Sequence, residues 1–209
     1  ESERATNQLR TMVAPFILRR LKKDVLKELP EKTETILYNE MTPEQEKIYK
    51  ANLALLQQEF QKEMKLNGIS RSHIKILAML TRLRQLCCHP GLYLDEYEGG
   101  SSKLDQCIEL IEDSIESGHK ILLFSQFTTM LDKIAYELQV RGISYYMLTG
   151  ATKAERRIEM VELFNKDATP IFLISLKAGG TGLNLTGADI VIHYDPWWNV
   201  SSENQATDR

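Results

Sequence analysis

Short apolar runs alternate with amphipathic helical patterns over residues 102–209. The runs occupy residues 121–124, 145–148, 171–174 and 190–192. Apolar side chains recur at helical spacing around them, as at Leu104, Ile108, Ile111 and Ile115 before the first run. Nearly continuous apolar strands that alternate with helices are typical of a parallel sheet whose two faces are both covered. The pattern therefore predicts a doubly wound α/β domain.

Two longer amphipathic stretches precede this domain. The first begins at Thr42-Pro43-Glu44-Gln45, where Thr42 and Gln45 form a capping box and Pro43 suits the first turn. Its apolar positions are Tyr49, Leu53, Leu56, Phe60 and Met64, and those of the second are Ile76, Leu80, Leu83 and Cys87. Asn67-Gly68 separates the stretches. They predict an antiparallel helical hairpin, and we favour packing of the two stripes on each other over a partner site.

Weaker patterns complete the predicted organisation. Residues 18–29 have helical spacing that Pro30 ends, residues 35–38 suit a short strand, and Thr152-Lys153-Ala154-Glu155 suits a second capping box. The glycine-rich residues 97–102 indicate a boundary. We predict a linker or brace helix over residues 1–32, a strand with the hairpin over residues 33–98, and the α/β domain over residues 99–209.

Composition narrows the possible functions. The 209 residues are 43% hydrophobic and 26% charged with a net charge of −3, so overall charge offers no general attraction to nucleic acid. No run of about 18 apolar residues suggests a membrane span, and no apolar leader suggests secretion. Cys87-Cys88-His89 has no second ligand pair, so we expect no metal site there and assign the cysteines to the core. His119 and His193 are also expected to be structural.

Candidate chemistry follows the predicted strands, where doubly wound sheets bind ligands. The third strand leads into Lys177-Ala178-Gly179-Gly180-Thr181-Gly182-Leu183-Asn184. Glycines let the backbone approach a ligand closely, and exposed amides beside a lysine can bind phosphate oxygens. A tight turn without a ligand is the alternative, but the glycines, lysine and asparagine together favour a phosphate contact.

The same residues carry a family resemblance. Residues 177–185 with Asp195-Pro196-Trp197-Trp198-Asn199 resemble motifs V and Va of the SWI/SNF-type remodelling ATPases, which belong to superfamily two of the helicases. Residues 121–127 resemble motif IV, residues 205–209 the start of motif VI, and residues 84–90 the end of the family's inserted helices. Residues 19–30 resemble the segment that joins the two motor lobes. The resemblance covers nearly the whole chain in order.

This resemblance implies the second of two RecA-like lobes, with ATP bound between the lobes and DNA running across both. The sequence has no Gly-x-x-x-x-Gly-Lys-Ser/Thr loop and no Asp-Glu-x-His box, so ATP and Mg²⁺ would be held mainly by the first lobe. Arg209 matches an arginine finger, and the other nucleotide-side candidates are Gly182, Asn184 and Gln205. The DNA-binding candidates are Ser125, Gln126, Thr149, Gly150, Lys177, Gly179, Gly180, Trp197, Trp198 and Asn199.

We therefore expect a piece of a longer, DNA-dependent ATPase that translocates on duplex DNA and remodels protein–DNA complexes, and that is inactive as this fragment. Its expected partners are double-stranded DNA, the first lobe and a DNA-bound protein, in the cytoplasm of a bacterium or the nucleus of a eukaryote. The alternatives are the matching lobe of an RNA helicase, a non-catalytic nucleic-acid-binding module, and a generic nucleotide-binding α/β domain.

Overall fold

The computed structural model describes residues 2–16, 33–179 and 183–196. Two compact units are present, Glu1–Tyr38 and Asn39–Arg209. In the first unit, helix α1 (Ser2–Val13) runs into a 3-10 turn at Ala14–Phe16. The helix predicted over residues 18–29 lies outside the described residues. The strand predicted over residues 35–38 is wrong, because this segment has no strand partner among the described residues and its side chains Ile36 and Tyr38 are exposed.

The second unit begins with the predicted helical hairpin. Helix α2 (Pro43–Cys88) is interrupted at Gly68, whose φ of 66° and ψ of 174° reverse the chain. We call residues 43–67 the first arm and residues 69–88 the second arm. The arms run antiparallel, since the Gln45 side-chain amide donates to the Leu86 carbonyl at 2.8 Å while Lys75 Nζ lies 2.7 Å from Glu63 Oε2.

Only part of the capping box predicted at the start of the hairpin forms. Thr42 caps the helix, because its hydroxyl accepts the Gln45 N–H at 3.1 Å. Gln45 does not return the contact to Thr42, however, since its buried side chain crosses to the second arm instead. Thus half of the expected capping box forms, and the other half joins the two arms.

A four-stranded parallel sheet forms the rest of this unit, with strand order β2-β3-β1-β4. The strands are β1 (Ile121–Ser125), β2 (Tyr145–Leu148), β3 (Ile171–Ser175) and β4 (Ile190–His193). The helices are α3 (Ser102–Glu116), α4 (Thr128–Val140), α5 (Ala154–Lys166) and α6 (Leu176–Gly179), and a 3-10 turn at Pro90–Leu92 precedes them. All four strands predicted from the apolar runs are present.

Both faces of the sheet are covered, as the apolar runs predict. Leu123 of β1 points into a core shared with α3 and α4, whereas its neighbour Phe124 points into a core shared with α5. Side chains alternate between the faces because successive residues of a strand point in opposite directions. The doubly wound architecture is confirmed. None of the described helices is long and apolar enough to cross a membrane.

The hairpin is fastened to the α/β domain at the end of its second arm. The Cys88 carbonyl accepts hydrogen bonds from Ser101 Oγ at 2.8 Å and from the Tyr194 hydroxyl at 2.9 Å. All three side chains are buried, and burial is the main reason that the pKa of the Tyr194 hydroxyl is raised. The second arm therefore has a fixed base next to β4.

Candidate nucleic-acid interface

The candidate side chains gather at one edge of the sheet, because four parallel strands place their carboxyl ends together. Gln126 follows β1, Thr149 and Gly150 follow β2, and Lys177 follows β3. Gln126 and Thr149 are half-buried, whereas Gly150 and Lys177 are exposed. These four residues form what we call the carboxyl edge.

The turns after β1 and β3 leave the sheet towards opposite faces. The two strands are neighbours, and Ser125 pairs with Ser175 at their last position. Helix α4, which follows β1, packs on the face that carries Leu123, whereas Ala178 of α6 packs on the face that carries Phe124. Such a divergence opens the crevice in which doubly wound sheets bind ligands. Lys177 and Gln126 therefore flank the expected ligand crevice.

Ser125 shapes the turn after β1 from inside. Its side chain is 0% exposed, and its hydroxyl accepts the Phe127 N–H at 3.1 Å and donates to the Phe127 carbonyl at 3.3 Å. The DNA contact expected of this hydroxyl would require accessible surface that it lacks in this structure. Ser125 is thus placed to support the turn. Gln126 is half-buried, and its side-chain amide nitrogen is buried without a hydrogen-bond partner among the described residues.

Asp195, two residues after β4, organises the same turn. Its side chain is buried, and both carboxylate oxygens accept the Gln126 N–H, at 3.2 and 3.1 Å. Burial raises the pKa of Asp195 to about 6. The Ser125 hydroxyl, the Gln126 N–H and the positive charges of Arg84 and Lys103 act in the opposite direction and lower this pKa. Asp195 therefore couples the turn after β1 to the chain that leaves β4.

Arg84 of the second arm reaches these two segments. Its Nη1 donates to Gln126 Oε1 at 3.1 Å, and its Nη2 donates to the Pro196 carbonyl at 2.6 Å. Sequence reasoning missed Arg84 and the buried Asp195 as parts of the site. Both residues belong to segments that carry the family resemblance, but a basic helix face and an acid after a strand have no specific meaning without their partners.

The capping box predicted at residues 152–155, in the turn after β2, does not form. The Thr152 hydroxyl accepts the Thr149 N–H at 3.1 Å. It does not cap helix α5, whose N-cap residue is Lys153. Arg157 braces the turn, with its Nε donating to the Thr152 carbonyl at 2.9 Å and its Nη2 reaching the Thr149 and Gly150 carbonyls at 3.4 Å. The hydroxyl therefore closes the turn, because a side-chain bond to a nearby backbone N–H competes with capping of the helix.

The turn after β3 begins with a buried hydroxyl. Ser175 Oγ accepts the Ala178 N–H at 3.4 Å, which starts the short helix α6 that carries Lys177 and the backbone of Gly179. Lys177 points to solvent while Ala178 is buried against the sheet. This arrangement places an exposed cation where the sequence predicts a phosphate contact.

Asn184 lies apart from the carboxyl edge. Its carbonyl accepts the Asn165 side-chain amide at 2.8 Å, and Asn165 Oδ1 accepts the Gly187 N–H at 2.9 Å. Asn165 belongs to the last turn of α5, which is the end that leads into the start of β3. The structure therefore separates Asn184 from the DNA-binding candidates, and its exposed side chain faces solvent.

The remaining candidates lie outside the described residues. They are Gly180, Gly182, Trp197, Trp198, Asn199, Gln205 and Arg209. Proximity of Arg209 to the turn after β3 thus stays a prediction.

His89 and its neighbouring cysteines have structural positions. His89 Nδ1 accepts the Gly91 N–H at 2.9 Å and caps the 3-10 turn, and burial lowers the pKa of its imidazole to about 4. Burial also raises the pKa of the Cys88 thiol to about 12. In the part of the chain that the structure describes, no group of three or more His, Cys, Asp or Glu side chains could hold a metal ion.

Comparisons with known proteins identify the family of this fold. The family model for the helicase conserved C-terminal domain matches residues 102–209, and the SNF2-related domain matches residues 1–92. The solved C-terminal domain of the Sulfolobus solfataricus SWI2/SNF2 ATPase has a TM-score of 0.67 and 33% identity, with 78% of this chain and 72% of that chain covered. The chain belongs to the SWI/SNF family of helicase-like ATPases. Its sheet and flanking helices therefore form a RecA-like lobe.

Other relatives of this SWI/SNF lobe are much longer proteins. It is 40% identical to the putative ATP-dependent helicase/translocase YwqA of Bacillus subtilis, over 99% of this chain and 23% of the relative. It is 35% identical to the mouse chromodomain-helicase-DNA-binding protein 1-like, over 100% of this chain and 24% of the relative. The Sulfolobus solfataricus SWI2/SNF2 ATPase core, solved in complex with dsDNA, has a TM-score of 0.71 and 35% identity, with 97% of this chain and 43% of that chain covered.

Proposed function

We propose that the chain is the second motor lobe of an ATP-dependent translocase that moves on duplex DNA and remodels protein–DNA complexes. The observation that carries the proposal is the carboxyl edge, where Lys177, Gln126 and Gly150 follow neighbouring strands at the ligand crevice of a SWI/SNF lobe. A relative of this fold was solved with dsDNA bound, which supports duplex DNA as the ligand.

On the DNA side, the lobe holds phosphates and reads no base sequence. Lys177 supplies a positive charge, and the Thr149 hydroxyl and the backbone of Gly150 and Gly179 supply hydrogen bonds. The Gln126 amide nitrogen, which is buried in this structure, joins them when its side chain turns outward. The neighbouring Gly180 joins this set, while Ser125 positions the turn from below. Trp197, Trp198 and Asn199 follow Pro196 and extend the same track. Binding of this kind is tolerant of sequence and sensitive to salt.

On the nucleotide side, Arg209 acts as an arginine finger and Gly182, Asn184 and Gln205 make minor contacts. ATP and Mg²⁺ are held mainly by the first lobe, since this sequence lacks the phosphate loop and the Asp-Glu-x-His box. A bound triphosphate would supply the phosphoryl group whose developing charge the Arg209 guanidinium stabilises. Closure of the two lobes brings the guanidinium into place, and reopening lets the DNA advance past the carboxyl edge.

The proposal assigns the longer protein its partners and its place in the cell. Duplex DNA, the first lobe and a DNA-bound protein are the partners, and the compartment is the nucleoid of a bacterium or the nucleus of a eukaryote. The relatives in Bacillus subtilis and mouse show that similar proteins occur in bacteria and in eukaryotes.

The test uses the full-length protein and its ATPase activity with and without duplex DNA. Arg209→Ala should lower the DNA-stimulated kcat by about a thousandfold or more, the range found for arginine fingers. Arg156→Ala, which removes an exposed arginine of α5, serves as the control. Near-normal activity of Arg209→Ala would refute the finger, and stronger stimulation by RNA than by duplex DNA would favour an RNA helicase instead.

A further inference from the structure

One arginine of the hairpin joins two loops of the α/β domain that are far apart in sequence. Arg84 donates to the Gln126 side chain at 3.1 Å and to the Pro196 carbonyl at 2.6 Å, across 42 and 112 residues of chain. Gln126 is part of the carboxyl edge, and Pro196 directly precedes Trp197. The guanidinium therefore touches both the turn after β1 and the segment that leads to the tryptophans.

We propose that Arg84 is a positioning residue that couples the helical hairpin to the DNA track, a role that rests on the proposed function. It holds the Gln126 side chain and the Pro196 carbonyl at a fixed distance from each other, so that the turn after β1 and the chain after β4 keep their places beside the DNA track. It acts through these groups and needs no DNA contact of its own.

The chemistry of the contact suits arginine better than lysine. Guanidinium is a planar fork with several donors in fixed directions, so one group can serve two acceptors at once. The Gln126 residue is held from two sides, because its backbone N–H donates to Asp195 while its side-chain oxygen accepts from Arg84. Losing Arg84 would free the side chain and leave the backbone in place.

The part of the second arm that carries Arg84 is held in place by the residues that follow it. Two residues further along the arm, the Leu86 carbonyl accepts the Gln45 amide at 2.8 Å, which joins the two arms. Two residues beyond that, the Cys88 carbonyl accepts Ser101 Oγ and the Tyr194 hydroxyl. Because Arg84 is held firmly by the second arm, any movement of the hairpin would also move Gln126 at the carboxyl edge.

The first test measures DNA-stimulated ATPase in the full-length protein as a function of duplex concentration. We expect Arg84→Ala to raise the DNA concentration for half-maximal stimulation by about tenfold, which corresponds to about 1.4 kcal/mol. The kcat at saturating DNA should fall much less, because the nucleotide side is untouched. Arg84→Lys should recover only part of the loss.

Arg82→Ala is the matched control. It removes the same charge from the same arm, but Arg82 pairs with Glu59 across the hairpin at 3.9 Å and lies over the Tyr93 ring, 5.7 Å from its centroid. Its half-saturating DNA concentration should stay within about twofold of wild type, about 0.4 kcal/mol. Equal effects of Arg82→Ala and Arg84→Ala, or an Arg84→Ala effect confined to kcat, would overturn the proposal.

A second readout needs no activity. Asp195 faces Arg84 and Lys103, the Ser125 hydroxyl and the Gln126 N–H, with the Cys88 thiol and the Tyr194 hydroxyl also close enough to influence it. Removing the Arg84 charge should raise the pKa of Asp195 in a carboxyl-carbon NMR titration of the chain, and Arg82→Ala should leave it in place. An unchanged Asp195 titration in Arg84→Ala would refute the link, whereas a wild-type protein without DNA-stimulated ATPase would refute the proposed function only.

Discussion

Replacing Asp195 with asparagine should remove a pH dependence of stability whose sign is opposite to that of most carboxylates. Burial raises the pKa of Asp195 from its ordinary 3.8 to about 6, so the folded protein binds this proton more tightly than the unfolded chain. Between these two values the free energy of unfolding falls as pH rises, by about 1.4 kcal/mol per pH unit. The carboxylate thus costs about 2.4 kcal/mol at neutral pH relative to pH 4.

Asparagine keeps an oxygen that can accept the Gln126 N–H but does not titrate. The assay is urea unfolding of the wild type and Asp195→Asn at intervals from pH 4 to pH 7.5. The variant's free energy of unfolding, relative to wild type, should rise by about 2.4 kcal/mol across this range. Groups that titrate in both proteins cancel in the difference.

Asp167→Asn is the matched comparison because its sign is opposite. The Tyr146 hydroxyl donates to Asp167 Oδ2 at 2.6 Å and lowers the pKa of that carboxyl, so its stabilisation is present above the ordinary value and is lost as pH falls. Relative to wild type, this variant should therefore become less stable as pH rises to about 5 from values well below the ordinary pKa of 3.8, so its series starts at lower pH, and it should change little from there to pH 7.5. A difference for Asp195→Asn that is flat, or that falls with pH, would refute the reasoning about the buried carboxylate.

Two further substitutions test the hairpin. Gly68→Ala should lower the free energy of unfolding by roughly 1–3 kcal/mol, because a φ of 66° with a ψ of 174° is open almost only to glycine. Gly150→Ala, at a position without a positive φ and with open space around the added carbon, should leave urea unfolding unchanged, and equal losses in the two variants would contradict the argument. Glu63→Gln should destabilise the protein at pH 7 and progressively less in acid, since the Lys75 ammonium is the main group that lowers the pKa of the Glu63 carboxyl. A Glu63→Gln effect on thermal unfolding that grows as pH falls below 4 would contradict that assignment.

The fold could be predicted from the sequence because its strands are buried on both faces. A short, continuous apolar run between two amphipathic helices, such as residues 121–124, is typical of a central strand in a parallel sheet. The predicted strand at residues 35–38 lacked that context, and a strand exists only with a partner. Local signals failed where two partners compete for one group, as the Thr152 hydroxyl shows by closing a turn instead of capping α5.

The position of the candidate site was predictable, but its internal contacts were not. Parallel strands require that Gln126, Thr149 and Lys177 share an edge, whatever their side chains do. The two contacts of Arg84 depend on how the hairpin docks, which involves residues up to 112 positions away. Such long-range pairs have no signature in one sequence.

The salt dependence of duplex-DNA binding by the full-length protein tests most directly whether the carboxyl edge holds DNA. Lys177 lies at this edge. Lys166 is also exposed, but it lies in the last turn of α5, a helix about 20 Å long that begins near the carboxyl edge and ends away from it. The slope of log affinity against log salt should become shallower by about 0.9 in Lys177→Ala and stay unchanged in Lys166→Ala. Equal slopes in Lys177→Ala and wild type, or the larger change in Lys166→Ala, would contradict the account.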